Sequence, residues 1–161
     1  GIASSGTTPY VSRGLDYARK QGCYTVLITC NKAPYFIKKV DIVIAVDIGQ
    51  EVIAGSTRMK SGTATKMILN MISTITMVKL GKIYDNLMVD LKAVNKKLLD
   101  RGTRIIMQIT GLDYRSASDL LESSDKEVKT AIVMHNKKCD IITARKLLSK
   151  HDGFLREVIT N

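Results

Sequence analysis

An α/β fold, with a parallel sheet, flanking helices and a small helical unit at the C-terminus, follows from three features of the sequence. Residues 25–30 (Thr-Val-Leu-Ile-Thr-Cys) and 42–46 (Ile-Val-Ile-Ala-Val) are short continuous apolar runs, the pattern of strands covered on both faces. Segments of helical or turn character precede and separate them, and strand–helix alternation of this kind implies parallel strands joined by right-handed crossovers. Beyond Gly111 only short helical patterns follow. We therefore divide the chain into an α/β domain at 1–110 and a three-helix unit at 111–161.

Gly1-Ile2-Ala3, followed by Ser-Ser-Gly, reads as the last residues of a strand entering a loop. On that reading the chain begins inside an element and an N-terminal portion is absent. Pro9 to Lys20 places Val11, Leu15 and Ala18 near helical spacing, with proline suited to a first turn and Gly22 to a stop. Asn31 to Pro34 is turn-like, and Tyr35 to Lys39 is expected to form a short helix. Ser61 to Leu80 is the strongest helical pattern: Ala64, Met67, Ile68, Met71, Ile72, Ile75 and Val78 recur at steps of three and four, and Gly81 follows. Its opposite edge is only weakly polar, so burial on most sides is expected, with the methionines as core filling. Residues 87–101 and 103–110 read as further helices. In the C-terminal unit, helices are expected over Tyr114–Glu122, Asp125–Asn136 and Ile141–Lys150, with a final turn at Phe154–Ile159. Ser124 to Glu127 has the pattern of a capping box, and Gly153 that of a break.

Composition removes several classes of function. The 161 residues are 45% hydrophobic and 25% charged, those of an ordinary globular protein. No apolar run is long enough for a transmembrane helix, and the first residues do not form a signal peptide, so no membrane role is expected. The net charge of +10 raises nucleic acid as a partner, but the lysines are scattered (38–39, 96–97, 137–138) and aromatic residues make up only 5%. Solvated helix faces account for most of that charge, and nucleic-acid binding is not expected. Cys23, Cys30 and Cys139 lack the paired spacing of a zinc site and are read as reduced core thiols, which fits a cytoplasmic setting. No metal site is expected. His135 and His151 lack nucleophile or carboxylate partners in sequence and are read as solvent-facing or satisfied.

Two loops carry the chemistry. Ser4-Ser5-Gly6-Thr7-Thr8 lies at the C-terminal end of the first strand, where open parallel sheets bind ligands, and its hydroxyls and backbone N–H groups suit a phosphate. The bland reading is ordinary capping of the helix that Pro9 starts. The second loop is Glu51-Val-Ile-Ala-Gly-Ser-Thr-Arg-Met-Lys-Ser-Gly-Thr-Ala-Thr-Lys66. It offers Ser56, Thr57, Arg58, Lys60 and Thr63 between a strand-like run and a helix N-terminus, where unpaired N–H groups and the helix dipole favour an anion. Glu51 is placed to bind sugar hydroxyls or act as acid or base; otherwise it is a surface residue or a partner for Arg58 or Lys60. Asp85, Asn86 and Asp90 are expected to cap the next helix. Together the two loops predict a phosphorylated small molecule as ligand.

The 51–66 segment resembles the motif shared by bacterial N-acetylmuramic acid 6-phosphate etherases and the animal glucokinase regulatory protein, both of the sugar isomerase (SIS) fold, which is flavodoxin-like. Residues 1–11 look like the etherase version of the SIS phosphate loop, and Gly81 to Asp90, 130–134 and 153–156 fit the same family. The resemblance covers essentially the whole chain. It implies a partial SIS sheet and a cofactor-free carbon–oxygen lyase acting on a phosphorylated amino sugar in cell-wall recycling. The family cleaves the lactyl ether of N-acetylmuramic acid 6-phosphate to N-acetylglucosamine 6-phosphate and D-lactate, by C2 deprotonation, elimination at C3 and addition of water. Both acid and base are glutamates in the family, and the resemblance places them upstream of residue 1, so no catalytic residue is assigned here. By motif position, Ser5 and Thr8, with the backbone of Ser4 and Gly6, are expected at phosphate. Ser56 and Glu51 are expected at the sugar, and Arg58 and Lys60 as complementary charges. Thr7 departs from the family, where arginine is frequent. A homodimer also fits the family, and an unpaired strand edge offers a second route to self-association. The alternative is a non-catalytic sugar-phosphate sensor like the glucokinase regulator. The expectation for residues 1–161 alone is no turnover, and sustained D-lactate release from N-acetylmuramic acid 6-phosphate by the purified chain would contradict it.

Overall fold

The computed structural model describes residues 1–34 and 40–160, so the short helix expected at 35–39 lies outside the described residues. The chain forms two compact units, Gly1–Ile72 and Ser73–Asn161.

In the first unit the sheet is parallel, as expected. Strand β1 (Val26–Thr29) pairs with β2 (Ile42–Ala45) in a register running from Val26↔Ile42 to Thr29↔Ala45. On the other side of β1, Ile2 bridges Ile28 in parallel. Ala3 N–H donates to the Ile28 carbonyl at 3.0 Å and Ile28 N–H to that of Gly1 at 2.8 Å, so residues 1–3 extend the sheet as a strand end. The Asp41 carboxylate ties the strand starts together by accepting from Thr25 N–H at 2.7 Å and Thr25 Oγ at 2.6 Å. Helix α1 (Pro9–Lys20) begins on its proline and buries Leu15 against Ala3 and Leu27.

Burial separates the two strands. Leu27, Ile28 and Thr29 of β1 are buried, as the apolar run predicted. Strand β2, expected to be buried too, is only half covered, and Ile42 is 43% exposed. It pairs only with β1 among the described residues. Cys23, expected in the core, is exposed beyond the end of α1.

Helix α2 (Lys60–Lys79) starts because a carboxylate meets its orphan donors. Glu51 accepts from Lys60 N–H at 3.1 Å through one oxygen and from Ser61 N–H at 3.0 Å through the other. Those bonds, Ser61 first and then Lys60, hold the Glu51 carboxyl below its ordinary range. The expected burial of α2 is not met. Only Ser61 and Ile68 are buried, while Met67, Met71, Ile75 and Val78 are each about half exposed. The described residues supply no layer over that apolar stripe.

The second unit opens with a hairpin rather than the helix expected from residue 87. Strand β3 (Ile83–Tyr84) pairs antiparallel with β4 (Leu87–Met88). Asp85 takes a left-handed conformation at the turn and pairs with Arg156, whose guanidinium lies 4.9 Å from the centre of the Tyr84 ring. Asp90 pairs with Lys82 and Lys129. Neither aspartate caps a helix as expected; that role falls to Asn95, whose Oδ1 accepts from Leu98 N–H at 2.9 Å. Helix α3 (Lys96–Thr110) is one continuous element ending at the left-handed Gly111.

Helices α4 (Tyr114–Ser123), α5 (Val128–Lys137), α6 (Ile141–Lys150) and α7 (Leu155–Thr160) follow close to the expected positions. Asp113 and Asp140 cap α4 and α6 through their carboxylates. The capping box at Ser124 to Glu127 does not form. Ser124 Oγ donates instead to the Leu121 carbonyl at 2.8 Å, with the Glu127 carbonyl 3.1 Å away, and Arg145 and Thr130 hold the Glu127 carboxylate. Helix α5 is the centre of this unit, packing on α3, α4, α6 and α7, with Val128, Ala131, Ile132 and Val133 fully buried.

Two outcomes test this description. Ile132→Ala should cost about 2–5 kcal/mol in urea unfolding, and a loss below about 1 kcal/mol would mean that α5 is not central. Because the Glu51 carboxyl is depressed, its cap is present above the ordinary value of 4.5 and is lost as pH falls through a lower one. The Lys60 and Ser61 amide resonances should therefore hold steady at pH 4.5 and move only under stronger acid; movement centred at or above 4.5 would refute the charged cap.

Candidate functional site

The first polar loop is fixed by the end of β1. The Ser4 carbonyl accepts from Cys30 N–H at 3.0 Å and Thr29 Oγ1 at 3.1 Å, and the Ser5 carbonyl accepts from Asn31 Nδ2 at 2.9 Å. Beyond those bonds, Ser5 and Thr7 are exposed and Ser4 is half-buried. Gly6 is needed for its backbone. It sits at φ 68°, and a Cβ there would lie 2.5 Å from Pro34 Cβ, so any side chain would be strained and would collide. Ser5 Oγ and Thr7 Oγ1 lie 2.8 Å apart, and Thr7 N–H points at Ser5 Oγ at 3.3 Å.

The second loop faces the first. One open cleft of about 830 Å³ is lined by Ser4, Ser5 and Thr7, by residues 30–32 after β1, by residues 48–51, and by residues 54–57. Ser5 and Ser56 therefore line the same cleft. The join is direct: Ser61 Oγ, at the start of α2, donates to Ser4 Oγ at 2.8 Å.

The residues expected at the ligand divide in two. Ser4, Ser5, Glu51 and Ser56 line the cleft; Gly6, Thr8, Arg58 and Lys60 do not. Thr8 occupies the N-cap position of α1 without a side-chain capping bond. Lys60 turns its ammonium onto the Gln50 carbonyl at 2.6 Å. Glu51 reaches the cleft with both carboxylate oxygens already accepting from α2. The anion answering the N-terminus of that helix is thus part of the chain itself.

Thr7 and Thr57 of the two hydroxyl-rich loops line the cleft as well, together with Asn31 and Lys32, to which no binding role is assigned from sequence. Asn31 and Lys32 follow the C-terminal end of a parallel strand, a position that by itself marks a ligand edge. Lys32 pairs with Asp47 at 2.6 Å, with both side chains largely exposed, and that pairing, with the Gly49 N–H, lowers the Asp47 carboxyl. Ser61 signalled nothing in sequence beyond helix initiation. The cleft offers hydroxyl and amide donors, one paired lysine and one committed carboxylate, a set suited to a phosphate ester with a polar body.

No protein-family model matches the chain. It is 50% identical over 159 residues, 99% of its own length, to the N-acetylmuramic acid 6-phosphate etherases of Salmonella schwarzengrund (strain CVM19633) and Salmonella typhi, covering 54% of each. With the protein of that name from Pectobacterium atrosepticum it shares 51% identity and covers 52%. The chain spans about half the length of these curated relatives. Along almost its whole length it is thus a homologue of one portion of the proteins named N-acetylmuramic acid 6-phosphate etherase.

Proposed function

We propose that this chain is a sugar-phosphate-binding portion of an N-acetylmuramic acid 6-phosphate etherase, a lyase that releases D-lactate and leaves N-acetylglucosamine 6-phosphate. The observation that carries the proposal is the 50% identity over 99% of the chain with proteins of that name. The relatives described above are named as etherases, which favours the enzyme over the sugar-phosphate sensor considered from sequence. Cytoplasmic residence and a homodimer go with the proposal. Among the described residues no helix is long and apolar enough to cross a membrane.

The cleft suggests a division of labour. Ser4, Ser5 and Thr7 present hydroxyls beside the C-terminal end of β1, where a phosphate would receive short charge-assisted bonds. Ser56 and Thr57 lie on the facing loop and would meet the sugar. Glu51, holding the first turn of α2, shapes that wall and keeps lone pairs for a sugar hydroxyl. Arg58 and Lys60, outside the lining, would act through the field around the mouth rather than by contact. The elimination itself needs a base at C2 and an acid at the departing ether oxygen, and neither role is assigned to a residue of this chain.

In a protein that also carries the rest of the relatives' length, D-lactate release from N-acetylmuramic acid 6-phosphate is the direct assay. Ser5→Ala should lower kcat/KM by about 10- to 100-fold, the loss of one hydrogen bond to a charged group. Arg58→Ala should cost much less and lose most of its effect in high salt. Absence of D-lactate release, or an Arg58 effect exceeding that of Ser5, would overturn this assignment.

A further inference from the structure

We propose that Ser61 is a positioning residue that aims the Ser4 hydroxyl proton into the cleft, through a one-way relay from Cys30 to Ser61 to Ser4. This rests on the reading of the cleft as a phosphate-ester site. Ser61 is 3% exposed and lies where three parts of the first unit meet: the loop after residues 1–3, the end of β1 and the first turn of α2.

Proton counting sets the direction. A serine hydroxyl has one proton to donate, and Ser61 gives its proton to Ser4 Oγ at 2.8 Å. The 3.3 Å contact between Ser61 Oγ and Cys30 Sγ must then run from the thiol S–H to the Ser61 oxygen. Ser4 Oγ accepts from Ser61 and retains its own proton. Ser4 lines the cleft, and no acceptor for that proton is found among the described residues. The remaining proton is therefore available to an acceptor in the cleft. A phosphate monoester is such an acceptor, and each donor in the row polarises the next.

The arrangement also separates two duties within one residue. The Ser61 backbone N–H donates to Glu51 and secures the helix start, while its hydroxyl serves Ser4. Ser61→Ala removes the second duty and retains the first. Ser61→Thr keeps the hydroxyl.

The test is calorimetric titration of the 161-residue chain with N-acetylglucosamine 6-phosphate, run as a double-mutant cycle. Ser61→Ala should weaken binding about three- to tenfold, Ser61→Thr should restore most of it, and Cys30→Ala should cost less than Ser61→Ala, a thiol being the weaker donor. In a Ser4→Ala background, where the receiving hydroxyl is gone, Ser61→Ala should change affinity by less than about twofold. Equal losses with and without Ser4 would show that Ser61 merely stiffens the loop and would overturn the relay. So would unchanged affinity in Ser61→Ala while Ser5→Ala still weakens binding; that result leaves the cleft assignment standing. No binding by the unaltered chain would overturn both.

Discussion

Two backbone amides at the start of α2 would lack partners inside the helix, and the carboxylate of Glu51 supplies them. An uncapped start carries partial positive charge and unmet donors, so a side chain reaching back from nine residues upstream sets both where α2 begins and how residues 51–60 fold over it. Once the first turn is held, Ser61 is placed to bond Ser4, and the two polar loops close on one cleft. The cleft is therefore a consequence of helix capping as much as of loop composition.

The same interaction changes what the cleft can be. A free helix N-terminus would itself be an anion site. Here Glu51 fills that position, so the donors left for a ligand are hydroxyls and loop amides at the C-terminal end of β1. That shifts weight from Arg58 and Lys60, which lie outside the lining, toward Ser4, Ser5, Thr7, Ser56, Thr57 and the unanticipated Asn31. Gly6 contributes by what it lacks, since its conformation and its approach to Pro34 exclude a side chain.

The second unit is held together differently. Its core is a set of aliphatic side chains around α5, with carboxylates and one asparagine closing helix starts and Arg145 bridging Asp125 and Glu127. Those exposed ion pairs contribute little individually; burial of Ile106, Leu121, Ile132 and Leu155 carries the unit. Helix α2 contrasts with it. Its apolar stripe has the composition of a core helix, yet Met67, Met71, Ile75 and Val78 are each about half exposed.

Local chemistry was legible directly. Pro9 starts α1, the Thr25–Cys30 run forms a buried strand, the spacing of apolar residues marks α2 and α6, and the two hydroxyl-rich loops meet at one end of the sheet. The helices and the strand follow from periodicity or backbone preference within a few residues, and the meeting of the loops from the tendency of parallel sheets to gather ligand loops at the C-terminal ends of their strands. What tertiary structure decided was partnership over longer range. Residues 87–95 look helical by spacing, but the Arg156 contacts with Asp85 and Tyr84 accompany a hairpin there. Ser124 to Glu127 matches a capping box, but Arg145, eighteen residues on, holds Glu127 instead. Glu51 and Lys60 both sit in the motif, and only coordinates show one turned to the helix start and the other to a carbonyl. Side-chain hydrogen bonds are allocated among all neighbours that folding brings near, and a linear pattern names the candidates without ranking them.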